Sequence, residues 1–271
     1  KIAAKCPNLR NWKSVIQQKY RPEEKMKPRQ GMRRIAIIIV MSLFAWGIFV
    51  ATATVADDAP STFREAKRLL VDIYNAHPKT FYCDCEYVSL GRKLSPLNER
   101  CKYTSRKPKD KRYNRIEWEH VMPASWLGRQ RQCWKDGGRK NCRKHDLEFN
   151  RMEAEMVNLV PTNGEINRDR SNYRFGSIYG EERQYGACDF EVDNKRRVAE
   201  PRAGIRGNIA RTMLFMRDRY GVTLSSSQTK LYAAWNKQDP IDEWERTRDE
   251  KILAVQGHSN HYITKQQREQ R

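Results

Sequence analysis

The chain is expected to fold as α+β, a mainly helical single domain around a small, irregular β element, tied by disulfides. Three observations predict this. Apolar residues recur at helical spacing near residue 63 and throughout the last third. One short stretch, Ile116-Glu117-Trp118-Glu119, alternates apolar and charged as a half-buried strand does. Six cysteines, Cys83, Cys85, Cys101, Cys133, Cys142 and Cys188, follow an export-type apolar segment.

Residues 1–31 are expected to be an upstream or disordered segment, with Met26 and Met32 both suited to be starts. Residues 32–56 read as a signal peptide. Arg33 and Arg34 precede the uncharged run from Ile35 to Ala51, and Ala51-Thr52-Ala53 and Thr54-Val55-Ala56 supply small-residue cleavage sites. The same run is long enough to stay in a bilayer as an uncleaved anchor, its N-terminus held in the cytoplasm by the preceding Lys and Arg. Either way residues 57–271 are exported, periplasmic or secreted, and are long enough for one real core. The whole chain carries +20, with 53 Lys+Arg against 33 Asp+Glu. Eleven of the basic and two of the acidic residues precede residue 57, so the body keeps +11. Such a charge belongs to a protein that meets a polyanion and argues against an acidic or charge-neutral binding module.

Within the body, Thr62 to Glu65 forms a capping-box pattern, and Phe63, Ala66, Leu70 and Ile73 place an amphipathic helix over about 62–76. Residues 78–115 lack periodicity and should hold short strands and disulfide-tied loops. Residues 127–146 read as a long basic loop. Phe149, Met152, Met156 and Leu159 mark the core face of a helix over about 147–158, which Pro161 ends. Thr162 to Glu165 resembles a second capping box opening a short helix. Ile205, Ile209, Met213, Met216 and Tyr220 predict a helix over 203–220. Ser225 to Gln228 caps another over 226–237, and Asp239-Pro240 suits the start of a last helix that runs to Gly257.

Six cysteines in an exported body read as three disulfides, with 15 connectivities open. Cys133 with Cys142 is the preferred local pair, because the two bracket Asp136-Gly137-Gly138. The rival is a zinc site built from Cys83, Cys85, Cys142 and His145, which an oxidising compartment disfavours.

The chemistry concentrates at Glu117, Glu119 and His120. A neutral imidazole accepts a proton near pH 7, and an adjacent carboxylate can hold a hard cation. Beside a basic surface these are the parts for metal-assisted hydrolysis of a phosphodiester. Around this segment the run RIEWEHVMPA, then RQRQCWKDGGRKNC and NLVPTNGEINRDRSNYRFG, resembles the endonuclease I family of exported nucleases. YGACDFEVD, AEPRAGIRGNIARTMLFMRD, AAWNKQDPIDEWE and VQGHSN extend the resemblance over roughly residues 60–265.

The resemblance implies a ββα-metal, or His-Me finger, site: two strands and a helix around one divalent ion. His120 would be the general base, Glu119 and Asn167 the protein ligands to Mg²⁺ or another hard divalent ion, and Arg139 the phosphate-gripping arginine. Glu153 matches a polar residue near the family's metal site, and Glu117 is the fallback ligand. Arg129, Arg131, Lys135, Lys140, Arg143 and Lys144 would contact nucleic-acid phosphates without reading bases. Glu119 and His120 are neighbours, so a regular strand would point them apart; a strand end or bulge must bring them to one pocket. Two departures from the family pattern stand out. Arg246 and a Cys-free tail occupy places where the family often carries cysteines, consistent with one missing disulfide. His258 and His261 replace the more usual polar and proline residues and read as surface histidines.

The expected function is therefore a monomeric, sequence-nonspecific endonuclease acting on double-stranded DNA, with RNA left open as a substrate and no obligate protein partner. The alternative is a membrane-anchored, noncatalytic DNA-binding or uptake protein.

Overall fold

The structure, a computed structural model, describes residues 59–264 except Arg92 and Glu181. The expected upstream segment and signal peptide lie outside the described residues. Helix α1 (Phe63–Tyr74) begins where the pattern places it. Thr62 accepts the Glu65 amide while the Glu65 carboxylate accepts the Thr62 amide, closing a capping box. Ala66, Leu70, Ile73 and Tyr74 form its buried stripe.

A two-stranded hairpin, β1 (Tyr87–Leu90) with β2 (Lys93–Pro96), follows in the irregular region. Its inner residues Tyr87 and Leu94 pack on Ile116 and Trp118. Those two residues belong to β3 (Ile116–His120), the strand read from the alternation. The structure then departs from the expected basic loop over 127–146. Helix α2 (Ala124–Gly128) is followed by α3 (Gln132–His145), which is helical on both sides of a break at Gly137 and Gly138. Gly138 sits at φ 65°, a region that suits a residue without Cβ. Cys133–Cys142 bridges that break and holds the two helical pieces together, so a polar, glycine-interrupted run is helical without a continuous apolar stripe.

Helix α4 (Leu147–Ala154) is shorter than expected. A 3₁₀ turn over Met156–Asn158 leads directly into strand β4 (Leu159–Asn163), which pairs antiparallel with β3. Pro161 therefore does not merely end a helix; it lies within a strand, opposite Trp118. A two-stranded ribbon has an outer edge on each strand, where a missing N–H costs no ladder bond, and the Pro161 carbonyl accepts the Phe81 amide at 2.8 Å. Helix α5 (Gly164–Arg170) follows β4 without a loop. Its expected capping box is absent. Asn163, not Thr162, is the cap and makes no side-chain cap bond, which leaves Glu165 one residue short of the capping-box position, where the Tyr103 hydroxyl and the Lys107 amide hold it.

A three-stranded sheet was not foreseen. It consists of β5 (Arg174–Phe175), β6 (Phe190–Asp193) and β7 (Val198–Pro201), in the order β5-β7-β6, with β5 parallel and β6 antiparallel to β7. Each strand is short and two are nearly wholly buried, so no alternation was visible.

The C-terminal third is helical as predicted. Helix α6 (Arg206–Tyr220) supplies the buried Ile209, Met213 and Met216. Helix α7 (Ser226–Gln238) carries the Ser225–Gln228 capping box. The last helix, α8 (Glu243–Gln256), starts three residues later than expected and is capped by Asp242, whose carboxylate accepts the Glu245 amide. Asp239 ends α7 and accepts the Gly207 amide of α6 at 2.7 Å, so it ties two helices rather than starting a third.

The Phe149, Met152, Met156 and Leu159 stripe is core, as expected. The described residues all fall in one compact unit. Three disulfides, Cys83–Cys188, Cys85–Cys101 and Cys133–Cys142, consume the six body cysteines, which removes the zinc alternative. Among the described residues no helix is long and apolar enough to cross a membrane.

Candidate active site

Strands β3 and β4 and helix α5 form a continuous strand–strand–helix unit at one side of a groove of about 1320 Å³. Glu117, Glu119, His120, Arg139 and Asn167 all line this groove. The register of β3 on β4 runs without a bulge, Glu119 opposite Val160 and His120 opposite Leu159. The adjacency of Glu119 and His120 is therefore resolved by a strand end. His120 is the last residue of β3, and the chain then turns, with the Val121 and Met122 amides bonded to the carbonyl and side-chain oxygens of Asn158.

The two side chains meet different partners. His120 is 6% exposed, and its ring lies 4.7 Å from that of Phe63 at the start of α1. Its Nε2 is 2.9 Å from the Glu153 carbonyl oxygen. A carbonyl can only accept, so Nε2 carries the proton and Nδ1 is the basic nitrogen. Burial, and then the Arg139 charge, lower the imidazole to about 4. The ring is accordingly neutral at pH 7.

Glu119 is 4% exposed, and its Oε1 accepts from the Tyr82 hydroxyl at 3.1 Å and from Arg170 at 2.8 Å. Both donors converge on one oxygen, leaving Oε2 for another ligand. Burial pushes the carboxyl up to about 7, against the lowering pull of Arg170 and Tyr82. A bound cation would act in the same direction as Arg170. Arg170 is itself buried and also donates to the carbonyl of His120, so one guanidinium fixes the strand end and the carboxylate together.

Asn167 on α5 donates from Nδ2 to Glu117 Oε2 at 2.9 Å. That bond fixes the amide so that Oδ1 is the free oxygen. Glu117 is already engaged by Arg112 and Arg115. A carboxylate held by two guanidiniums and an amide orients Asn167 better than it could coordinate an ion. Glu119 Oε2 and Asn167 Oδ1 are hard oxygen donors and fit Mg²⁺, which takes few protein ligands and keeps several waters.

Glu153 on α4 is 1% exposed and divides its carboxylate between Arg139 and Arg143, at 2.5 and 2.6 Å. Burial raises it, but the two arginines overcome that effect and hold the carboxyl below its usual range. Glu153 thus fixes Arg139 through its side chain and His120 through its backbone. Arg131 is bound by both oxygens of Asp146, a helix-to-helix tie rather than a free cation. Arg129, Lys135, Lys140, Arg143 and Lys144 are exposed but, like Arg131, are not among the residues that line the groove.

Sequence reasoning missed two kinds of residue. Tyr82 and Arg170 lie 37 and 51 residues from Glu119 and carry no local signal. Arg64, Lys67 and Arg68 line the groove from α1, and their i, i+3, i+4 spacing was visible. His258, read as a surface residue, is half-buried and bonds the buried Glu155 at 2.9 Å.

Residues 51–267 match the Endonuclease I family. The chain is 46% identical over 238 residues to a periplasmic deoxyribonuclease of Aeromonas hydrophila, covering 87% of this chain and 99% of that protein. It is 50% identical over 210 residues to an extracellular deoxyribonuclease of the same organism, covering 77% and 90%. An Endonuclease-1 of Buchnera aphidicola subsp. Acyrthosiphon pisum (strain APS) is 40% identical over 203 residues, covering 75% and 80%. A family match over residues 51–267, a span that takes in the strand–strand–helix unit and the C-terminal helices, together with relatives at 40–50% identity, makes this chain a member of the endonuclease I family.

Proposed function

We propose that the protein is an exported, sequence-nonspecific endonuclease that hydrolyses phosphodiester bonds of double-stranded DNA, leaving 5′-phosphate and 3′-hydroxyl ends. The observation that carries this reading is the neutral His120 at a strand end. Its Nε2 is anchored on the Glu153 carbonyl, and the side chain opens on a groove shared with Glu119, Asn167 and Arg139. The relatives that are named deoxyribonucleases, periplasmic or extracellular, support both the substrate and the export.

In this mechanism His120 Nδ1 removes a proton from a water that attacks phosphorus. The water oxygen–phosphorus bond forms, the bond from phosphorus to the 3′ oxygen breaks, and that oxygen leaves and takes a proton from solvent to become the hydroxyl. Arg139, steadied by Glu153, holds a phosphate oxygen through paired N–H donors. Glu119 and Asn167 would hold Mg²⁺ or a similar hard divalent ion, which when bound supplies positive charge beside the phosphate and the departing oxygen. Glu117 keeps the Asn167 amide oxygen turned to that ion, and Arg170 pulls the Glu119 carboxyl toward its ionised form.

A plasmid-nicking assay tests the reading. Replacing His120 with Ala should lower the cleavage rate by about 10²–10⁴-fold, and a chelator should abolish cleavage until a divalent ion is restored. Undiminished cleavage by the variant, or indifference to chelator, would sink it. Salt-sensitive DNA binding without cleavage under any divalent ion would instead favour a noncatalytic DNA-binding protein.

A further inference from the structure

The groove has two walls of unlike electrostatic character. On the β3–α5 side its cations are already matched. Arg112 and Arg115 share Glu117, and Arg168 pairs with Asp110 and Asp169. On the α1 side they are not. Arg64, Lys67 and Arg68 line the groove, and none of the three forms an ion pair among the described residues. The carboxylates nearby do not serve them. Glu65 closes the helix cap with Ser61 and Thr62, and Glu153 is divided between Arg139 and Arg143. Asp72, also on the groove, is in no ion pair with them.

Spacing makes these three cations one surface, because residues i, i+3 and i+4 of a helix stand side by side. The surface is also joined to the reaction centre. Phe63, one residue before Arg64, lies against His120, and the same ring is approached by Lys67 at 4.6 Å and by Arg139 and Arg143 at 5.7 Å each. Several cations around one aromatic ring, with a single shared carboxylate, repel one another. Lys67 registers this: burial, and then Arg143, Arg64 and Arg139, lower its ammonium below the usual range. An arrangement that crowds positive charge along a groove is stabilised when a polyanion lies in it.

We infer that the groove face of α1 is a phosphate-binding rail, on which Arg64, Lys67 and Arg68 take backbone phosphates flanking the bond presented to His120. The ligand class is a nucleic-acid backbone, and the contacts carry no base information. Of the basic run over 129–144 only Arg139 lines the groove, and the greater share of strand binding lies on the groove face of α1. This assignment rests on the endonuclease reading and adds to it where the substrate lies.

Salt dependence tests it. Each protein charge that neutralises a duplex phosphate adds about 0.9 to the slope of log Kobs against log salt. Arg64→Ala, Lys67→Ala and Arg68→Ala, each made in the inactive His120→Ala protein, are titrated with a short DNA duplex over a range of salt. Each should weaken binding about three- to tenfold near 0.15 M salt and flatten the slope by about one. Lys67→Arg should restore both, and Lys230→Ala on α7, which is not among the residues lining the groove, should alter neither. In the active background the same changes should raise KM with little effect on kcat, and circular dichroism checks that each variant is folded. Wild-type slopes in all three variants would overturn the rail, as would a slope carried instead by Lys135, Lys140 and Lys144. A wild-type protein that neither binds nor cuts DNA would remove the endonuclease reading itself. One that cuts with an unaltered slope in the variants removes only the rail.

Discussion

At the scale of single residues, the centre depends on a buried ion pair. Arg170, 1% exposed, opposes the burial that pushes Glu119 toward its neutral form, and it bonds both the carboxylate and the carbonyls that follow it. Removing one member of a buried pair leaves an uncompensated charge, which costs about 3–5 kcal/mol. Arg170→Met should therefore lower the urea midpoint by a corresponding amount. Adding Glu119→Gln to it should recover much of the loss, because no buried charge is then left unpaired. Equal midpoints for the wild-type protein and Arg170→Met would refute the account. Glu119, His120, Arg139 and Asn167 could be read from contiguous motifs, and the structure brings them to one groove. Arg170 and Tyr82 could not, because their partner is distant in sequence and an isolated arginine or tyrosine looks the same buried or exposed. Glu117 was read as a fallback ligand because it shares a strand face with Glu119. Only the three-dimensional positions of Arg112, Arg115 and Asn167 reveal that its lone pairs are taken.

At the scale of elements, legibility followed local chemistry. The capping boxes at Thr62 and Ser225 sit where their residues place them, since the bonds involved span three residues. Strand β4 was missed because its five residues are all buried and include a proline, so neither alternation nor composition marks it. The α7–α8 junction was misread by three residues because Asp239 and Asp242 are equally good caps in isolation. The pull of Gly207 on Asp239 decides between them.

Helix α8 carries its own pH dependence. Asp249 accepts the Asn260 amide at 2.8 Å and so fastens the segment after the helix. Burial raises its carboxyl to about 6, opposed by the Asn260 amide and Arg248 and assisted by Glu250 and Glu155. The folded protein thus holds a proton there that the unfolded chain, with its ordinary value of 3.8, has released. Stability from this group is greatest below about pH 4, falls as pH rises to about 6, and is flat above. Asp249→Asn keeps the accepting oxygen and cannot ionise. Its stability relative to wild type should rise between pH 4 and 7 by on the order of 2 kcal/mol. A pH-independent difference in denaturant midpoints would contradict this.

At the scale of the whole molecule, the site is assembled from segments that share no local interaction, and covalent ties limit how far they can separate. β3, α3, α4, β4 and α5 all fall between Cys83 and Cys188, which are bonded across 105 residues. Cys85–Cys101 and Cys133–Cys142 close only 16 and 9. Cross-linking restricts the unfolded chain more the longer the loop it closes, by about 5 kcal/mol for the first and about 3 for each of the others. The sequence announced three bridges but not this ordering, because connectivity depends on which cysteines the finished fold brings together. Replacing each pair by Ser in turn should therefore give unequal losses of stability, largest for Cys83/Cys188. The functional losses should rank differently. The Cys133–Cys142 bridge spans the break that immediately precedes Arg139, so its removal loosens the arginine proposed to hold phosphate while the other two bridges stay closed. Cleavage rate measured well below each variant's unfolding midpoint separates the two effects. Loss of the short bridge should lower turnover with the smaller loss of stability, and loss of the long bridge should lower stability the most at nearly unchanged turnover. The same ranking in both measurements would mean that the short bridge serves only to stabilise the fold.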